Sequence, residues 1–200
     1  MLNGKQDVIE MNLEGAFEAG YSNAAAAFSQ VVQHKVYCNN FNHSRHSLED
    51  DFLTDRTPVN PAHPHELITT EVFGDVSGKS YLLLQQHEFE LLTRNSNPSS
   101  NSRTDLRIEF IKELDNILSA AVITKLCNHL GLKMFGNIPQ WDGPLQTSIV
   151  DLVRNDFNED TAWAYISSAR FSFDTYPEVH PFFIWVMDEK IMQRQKKENS

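Results

Sequence analysis

One stretch of this chain is a faded copy of another, and that duplication limits the folds open to it more than any other feature. Setting Gly15 against Glu113 brings Phe28 onto Leu126, Ser29 onto Cys127, Val32 onto Leu130, Lys35 onto Lys133 and Val36 onto Met134. The likeness is one of pattern more than identity, but the segments downstream of each copy also come in a like order. Two copies of one supersecondary unit that share a core are therefore expected, and a repeat has to be recognised before any other fold assignment is made.

In the first half (7–93), a helix over residues 7–34 leads into a short strand at 35–39. A polar linker with Pro58, Pro61 and Pro64 then runs to Leu67. Two β-patterned runs at 68–73 and 80–84 flank the turn Gly74-Asp75-Val76-Ser77-Gly78, and a short helix at 86–92 closes the half. Residues 95–104, rich in Asn and Ser, read as a flexible joint.

The second half (105–188) repeats the order. It has a helix at 105–130, a strand at 132–138, a linker from Pro139 with a helix at 145–153, and a hairpin of 162–173 with 182–187 around Tyr176-Pro177. Residues 189–200 read as a polar, solvated tail. The expectation is a single domain over 1–200, of the α+β class. Its mainly antiparallel sheet of about six strands has pseudo-twofold symmetry and is covered by the two long helices.

The chain has 200 residues, of which 40% are hydrophobic, enough for one shared core. No apolar run approaches the roughly 18 residues of a membrane span, and no basic stretch precedes an apolar one at the N-terminus. A cytoplasmic protein without a membrane partner is expected. The formal net charge of -10 argues against nucleic acid, whose phosphates demand clustered Lys and Arg. Cys38 and Cys127 have no CxxC spacing, so neither a disulfide framework nor a thiolate metal site is expected. No nucleophile elbow, P-loop or dinucleotide glycine pattern is present.

His43-x-x-His46 and His63-x-His65, with Asp50, Asp51 and Asp55, carry residue types that can ligate zinc. Nothing in the sequence positions them, and a solvated loop is the preferred reading. Trp141, Trp163 and Trp185 read as core or sheet-face residues, and Asn128 and His129 as structural.

In the second long helix, Leu106, Phe110, Leu114, Ile117 and Ala121 fall within about 80° of one another at 100° per residue and form the expected apolar stripe. Glu109, Glu113, Asn116 and Ala120 occupy a neighbouring strip that faces solvent. An acid and an amide three residues apart point the same way from one helix, which makes Glu113-x-x-Asn116 a small polar site.

Glu113-x-x-Asn116-Ile117, followed by small and apolar residues and by His129-Leu130-Gly131-Leu132-Lys133, resembles the signature helix of the CheC/CheX family of chemotaxis phosphatases. Asn23 to Gln30 resembles the first such helix of CheC-type members, and Phe73 to Gly78 the family's glycine-flanked hairpin turn. The resemblance covers most of residues 8–187, outside the linkers 40–66 and 139–160.

The resemblance implies an enzyme that removes phosphate from the aspartyl phosphate of a CheY-like receiver domain. Asn116 would hold the attacking water and Glu113 would accept a hydrogen bond from the receiver's lysine. Glu109, Lys112 and Ala120 would border the partner. It implies no metal site and no cofactor of the chain's own, because Mg2+ comes with the receiver. Two departures stand out. Glu109 occupies a position where the family usually has Ser or Asp, and the first copy has Gly15 and Glu18 where an intact site has Glu and Asn.

A single working site is therefore expected. The alternative within the family is a non-catalytic module that binds a receiver domain or a CheD-like deamidase. A third reading is a homodimer assembled through the first helix, whose Ala24–Ala27 run would allow close approach; the sequence is compatible with both monomer and dimer.

Overall fold

Each half of the chain is a long helix, an edge strand and a hairpin, and the two halves are joined through the hairpins. The computed structural model describes residues 3–47, 64–96, 104–157 and 163–192. In chain order the first half comprises α1 (Asn3–Val32), β1 (Val36–Ser47), β2 (His65–Gly74), β3 (Gly78–Gln85) and α2 (Gln86–Ser96). The second comprises α3 (Thr104–Leu130), β4 (Met134–Gly136), β5 (Gln140–Pro144), α4 (Ile149–Asp156), β6 (Trp163–Phe173) and β7 (Phe182–Asp188).

The strands form one sheet in the order β1-β6-β7-β3-β2-β4, and β5 shares the outer side of β2 with β4. Every pairing is antiparallel. Exchanging the two halves reverses this order onto itself, so a pseudo-twofold axis passes between β3 and β7.

The sequence offset is an offset of burial as well. Leu13, Ala16, Phe17, Ala24 and Phe28 of α1 are buried, as are their counterparts Ile111, Leu114, Asp115, Val122 and Leu126 of α3. The turns match too. The Asp75 amide donates to the Lys133 carbonyl at 2.8 Å, and the Asp174 amide donates to the Lys35 carbonyl at 3.2 Å. Each half's hairpin is thus tied to the loop after the other half's long helix, which accounts for the Lys35/Lys133 match.

Gly74 shows how tight this tie is. It sits at φ +125°, and a Cβ there would lie 2.3 Å from the Lys133 carbonyl oxygen. A Gly74→Ala variant is expected to lose about 2–3 kcal/mol in urea denaturation, from backbone strain together with the displaced loop.

The sheet is covered on both faces. One carries α1, α2 and α3 over a core centred on Phe17, Phe28, Phe171, Phe183 and Trp185. The other carries α4, whose Ile149, Val150 and Val153 pack on Leu67, Tyr81, Ile166 and Ile184. The expectation of a sheet covered by the two long helices alone is thus extended. The second face of the hairpins is equally apolar, and α4 covers it, capped at its start by Ser148, which accepts from the Asp151 amide.

Three further expectations are corrected. β1 does not end at residue 39 but continues to Ser47 through polar residues. Its irregularity between Asn39 and Asn42 is mirrored on the other edge, where the interval between β4 and β5 contains Pro139. β5 reads as linker in the sequence, because Gln-Trp-Asp-Gly-Pro has no alternation. It is held by the Trp141 indole donating to Glu66 at 2.8 Å and Thr69 donating to Asp142 at 2.8 Å.

The expected polar tail begins inside the fold. Ile191 and Met192 are buried, and Glu189 pairs with Arg45, whose guanidinium lies 4.2 Å from the centre of the Trp163 ring. Of the three tryptophans, Trp185 is core, while Trp141 and Trp163 are partly exposed on the sheet's edge strand β5 and on β6. Among the described residues, no helix is long and apolar enough to cross a membrane.

Candidate functional site

α3 is anchored by Ile111, Leu114, Leu118, Val122 and Leu126, all buried. This seam lies roughly 100° around the helix from the stripe expected at 106, 110, 114, 117 and 121. Leu106 is 51% exposed, and Phe110 and Ile117 are only partly covered. Two facts explain the rotation. The helix packs against α1 as well as the sheet, with Val122 so close to Gly20 that a Cβ there would lie 3.2 Å from the Val122 Cα. Moreover, polar Asp115 and Ser119 lie within the buried seam and hide it from an apolar count.

Glu109, Glu113, Asn116 and Ala120 are all exposed, on the side of α3 turned away from this seam. Glu113 and Asn116 stand one turn apart. Ala120, a turn beyond Asn116, adds no bulk that would keep an approaching surface away from the amide. Lys112 is half-buried and its ammonium donates to Glu109 at 3.0 Å, so the unusual charge of Glu109 is held by its own neighbour on the helix. An exposed pair at this spacing is worth only about 0.3–0.5 kcal/mol.

In α1 the corresponding positions, Gly15 and Glu18, are exposed in the same phase. Gly15 brings no side chain. Glu18 turns toward His43 on β1, with 3.8 Å between Oε1 and Nε2, while His43 Nδ1 meets the Ser167 hydroxyl at 2.9 Å and Tyr21 meets the same hydroxyl at 2.8 Å. The first copy therefore has no acid–amide pair. Ala24 and Ala25 of α1 are buried within the chain, so half of the alanine run proposed for a subunit contact is already used.

The histidine cluster is also redistributed. His43 and His46 lie on β1, not in a solvated loop, and His65 is buried at the start of β2. Burial lowers the His43 pKa below its usual value, opposed by Glu18. His63, Asp50, Asp51 and Asp55 lie outside the described residues. Among the described residues, no three His, Cys, Asp or Glu side chains converge as a metal site. Asn128 and His129 are exposed near the end of α3, where the His129 ring donates to the Lys125 carbonyl at 3.0 Å.

Asp115, one of the two unspecified residues within Glu113-x-x-Asn116, has a place of its own. It is fully buried between Glu113 and Asn116, on the side of α3 that meets the sheet. Thr70 on β2 donates to its Oδ2 at 2.6 Å, whereas Oδ1 has no hydrogen-bond partner. Burial raises its pKa to about 7 against the smaller opposing influence of the Thr70 and Ser119 hydroxyls. The repeat itself held the signal, because Asp115 falls on the position of Phe17 in the other copy, an inward position.

An α+β unit of two long helices over a pseudo-symmetric antiparallel sheet is the CheC/CheX-like fold. Solved structures share it over nearly the whole chain. The FliY of Thermotoga maritima matches with a TM-score of 0.67 at 10% identity, covering 94% of each chain. The CheX of Borrelia burgdorferi, solved as a CheX–CheY–BeF3–Mg2+ complex, matches with a TM-score of 0.58 at 11% identity over 86% of this chain and 97% of that one. The FliM of H. pylori, solved in complex with SpeE, matches with a TM-score of 0.65 at 8% identity over 96% of each. No family model and no curated protein matches the sequence.

Proposed function

We propose that the chain is a phosphatase acting on the aspartyl phosphate of a CheY-like receiver domain. The observation that supports this best is the joint, outward exposure of Glu113 and Asn116 on a helix anchored on its other side. A fold shared with a CheX solved together with CheY supports the choice of partner.

The strip needs no nucleophile. Asn116 reaches beside the acyl phosphate and orients a water with its carboxamide, in line with the bond to be broken. The water's oxygen bonds to phosphorus, the P–O bond to the receiver's aspartate breaks, and its electron pair leaves on that carboxylate. Inorganic phosphate departs. Mg2+ and a lysine of the receiver stabilise the transferring oxygens, so the chain supplies positioning and electrostatics. Glu113 accepts a charge-assisted hydrogen bond from that lysine and sets the docking register.

The test is the decay of a phosphorylated receiver domain with and without the chain. Faster loss of phosphate supports the reading, and an unchanged rate overturns it. Glu113→Ala is expected to weaken receiver binding by about 1 kcal/mol, roughly fivefold, at low salt, with the gap narrowing as salt is raised. Titration calorimetry at two ionic strengths measures this, and equal affinities would remove the lysine contact.

A second reading, a non-catalytic module that binds a receiver domain or a CheD-like protein, is favoured by two observations. These are the lack of an acid–amide pair on α1 and the likeness to a FliM. Receiver binding without faster phosphate loss would select it.

A further inference from the structure

Among the described residues, one of the two long helices carries a carboxylic acid in its inward seam, and it is the helix that carries the outward strip. At the matching position of α1 stands Phe17, fully buried, and at that of Ser119 stands Tyr21. Asp115 meets β2 through Thr70 at 2.6 Å, and a turn later Ser119 meets β3 through Ser80 at 3.1 Å. These two polar contacts join α3 to adjacent strands of the sheet, whereas apolar side chains could slide or rotate over it with little change in contact.

The surroundings set the charge state. Thr70 lies on the same face of β2 as Ile68 and Val72, and Ile111, Leu118 and Val122 flank Asp115 on α3; these apolar neighbours all belong to the core. Of the ionisable side chains near in sequence, Glu113 is exposed, and Lys112, half-buried one turn before Asp115, has its ammonium on Glu109 at 3.0 Å. On the strands, Glu71 is exposed and Lys79 pairs with Asp156 at 2.9 Å on the α4 side of the sheet. On α1, Tyr21 is committed to Ser167. Among the described residues, no cation faces the carboxyl.

We propose that Asp115, docked as a neutral acid on Thr70, is the positioning residue that sets the rotation of α3 and hence the presentation of Asn116. The inference rests on the phosphatase reading for its consequence in catalysis, but not for its geometry. As the neutral acid, Asp115 carries its proton on Oδ2 and donates it to the Thr70 hydroxyl oxygen, the reverse of the bond made to the ionised form, and Oδ1 is a weakly demanding carbonyl. Once ionised, it leaves an uncompensated charge with an unpartnered oxygen in the core, and α3 must shift to hydrate it. Asn116, the next residue, moves with the helix. Since burial places this ionisation near pH 7, the strip is sensitive to pH in the physiological range.

The experiment tracks the Asn116 side-chain amide by NMR and the rate of phosphate loss from a receiver domain, both from pH 5.5 to 8.5. In wild type the amide resonances move with a midpoint near pH 7, and the rate falls about tenfold across it. Asp115→Asn, which keeps the shape without the charge, is expected to flatten both curves and to keep the low-pH rate within about twofold. Thr70→Val removes the donor that favours the charged form and moves both midpoints upward. An Asn116 resonance indifferent to pH, or an alkaline limb unchanged in Asp115→Asn, overturns the inference. If no rate is seen at any pH while the resonances titrate as described, the positioning role stands and the phosphatase reading fails.

Discussion

An Asn116→Ala variant is expected to leave a phosphorylated receiver domain decaying close to its spontaneous rate, about 10²–10³ slower than with the unaltered chain. That corresponds to about 3–4 kcal/mol, the usual cost of deleting one positioned polar group that acts in a transition state. The attribution is clean because Asn116 is exposed and alanine is a good helix former, so α3 should keep its packing. Its melting temperature should match that of the unaltered chain or slightly exceed it. A variant as fast as wild type would show that the exposed amide is not what orients the water.

The second large effect concerns stability. The Asp115 carboxyl, with an ordinary pKa of 3.8, is raised by burial to about 7. Between these values the unfolded chain has released its proton while the folded chain keeps it, so the folded state binds more protons and stability falls as pH rises. Over about three pH decades at 1.36 kcal/mol each, the loss is on the order of 4 kcal/mol, complete above about pH 7 and absent below about pH 4. Asp115→Asn removes this dependence.

Urea denaturation of both proteins at pH 4, 6 and 8 therefore should give a widening gap in favour of the variant. Taking the difference between the two cancels the titration of the remaining carboxylates. A constant gap across the series would mean that Asp115 ionises normally in the fold, with water reaching its unpartnered oxygen.

The duplication made much of the architecture readable. The matching of Val32 with Leu130, of Lys35 with Lys133 and of Val36 with Met134 foretold two like halves, and the fold places each pair at equivalent ends of helix and edge strand. Hairpins announced by Gly74-Asp75-Val76-Ser77-Gly78 and by Tyr176-Pro177 were also legible, since turn chemistry is local. Helical spacing alone put Glu113 and Asn116 on one strip of α3, while packing decided that this strip faces outward.

Less legible was everything decided by a neighbour. Residues 40–47, Asn-Phe-Asn-His-Ser-Arg-His-Ser, have the composition of a loop, yet they extend β1 because β6 offers a full set of partners and the outer edge stays wet. The 140–144 segment becomes a strand for the same reason, on the edge of β2.

Periodicity in the chain establishes that a helix has two sides and where a turn must fall, because both depend on contacts a few residues apart. Which side of α3 goes inward depends on α1 and the sheet pressing on it from two directions. That geometry buries Asp115 beside exposed Asn116, and it exists only once residues far apart in sequence are packed together.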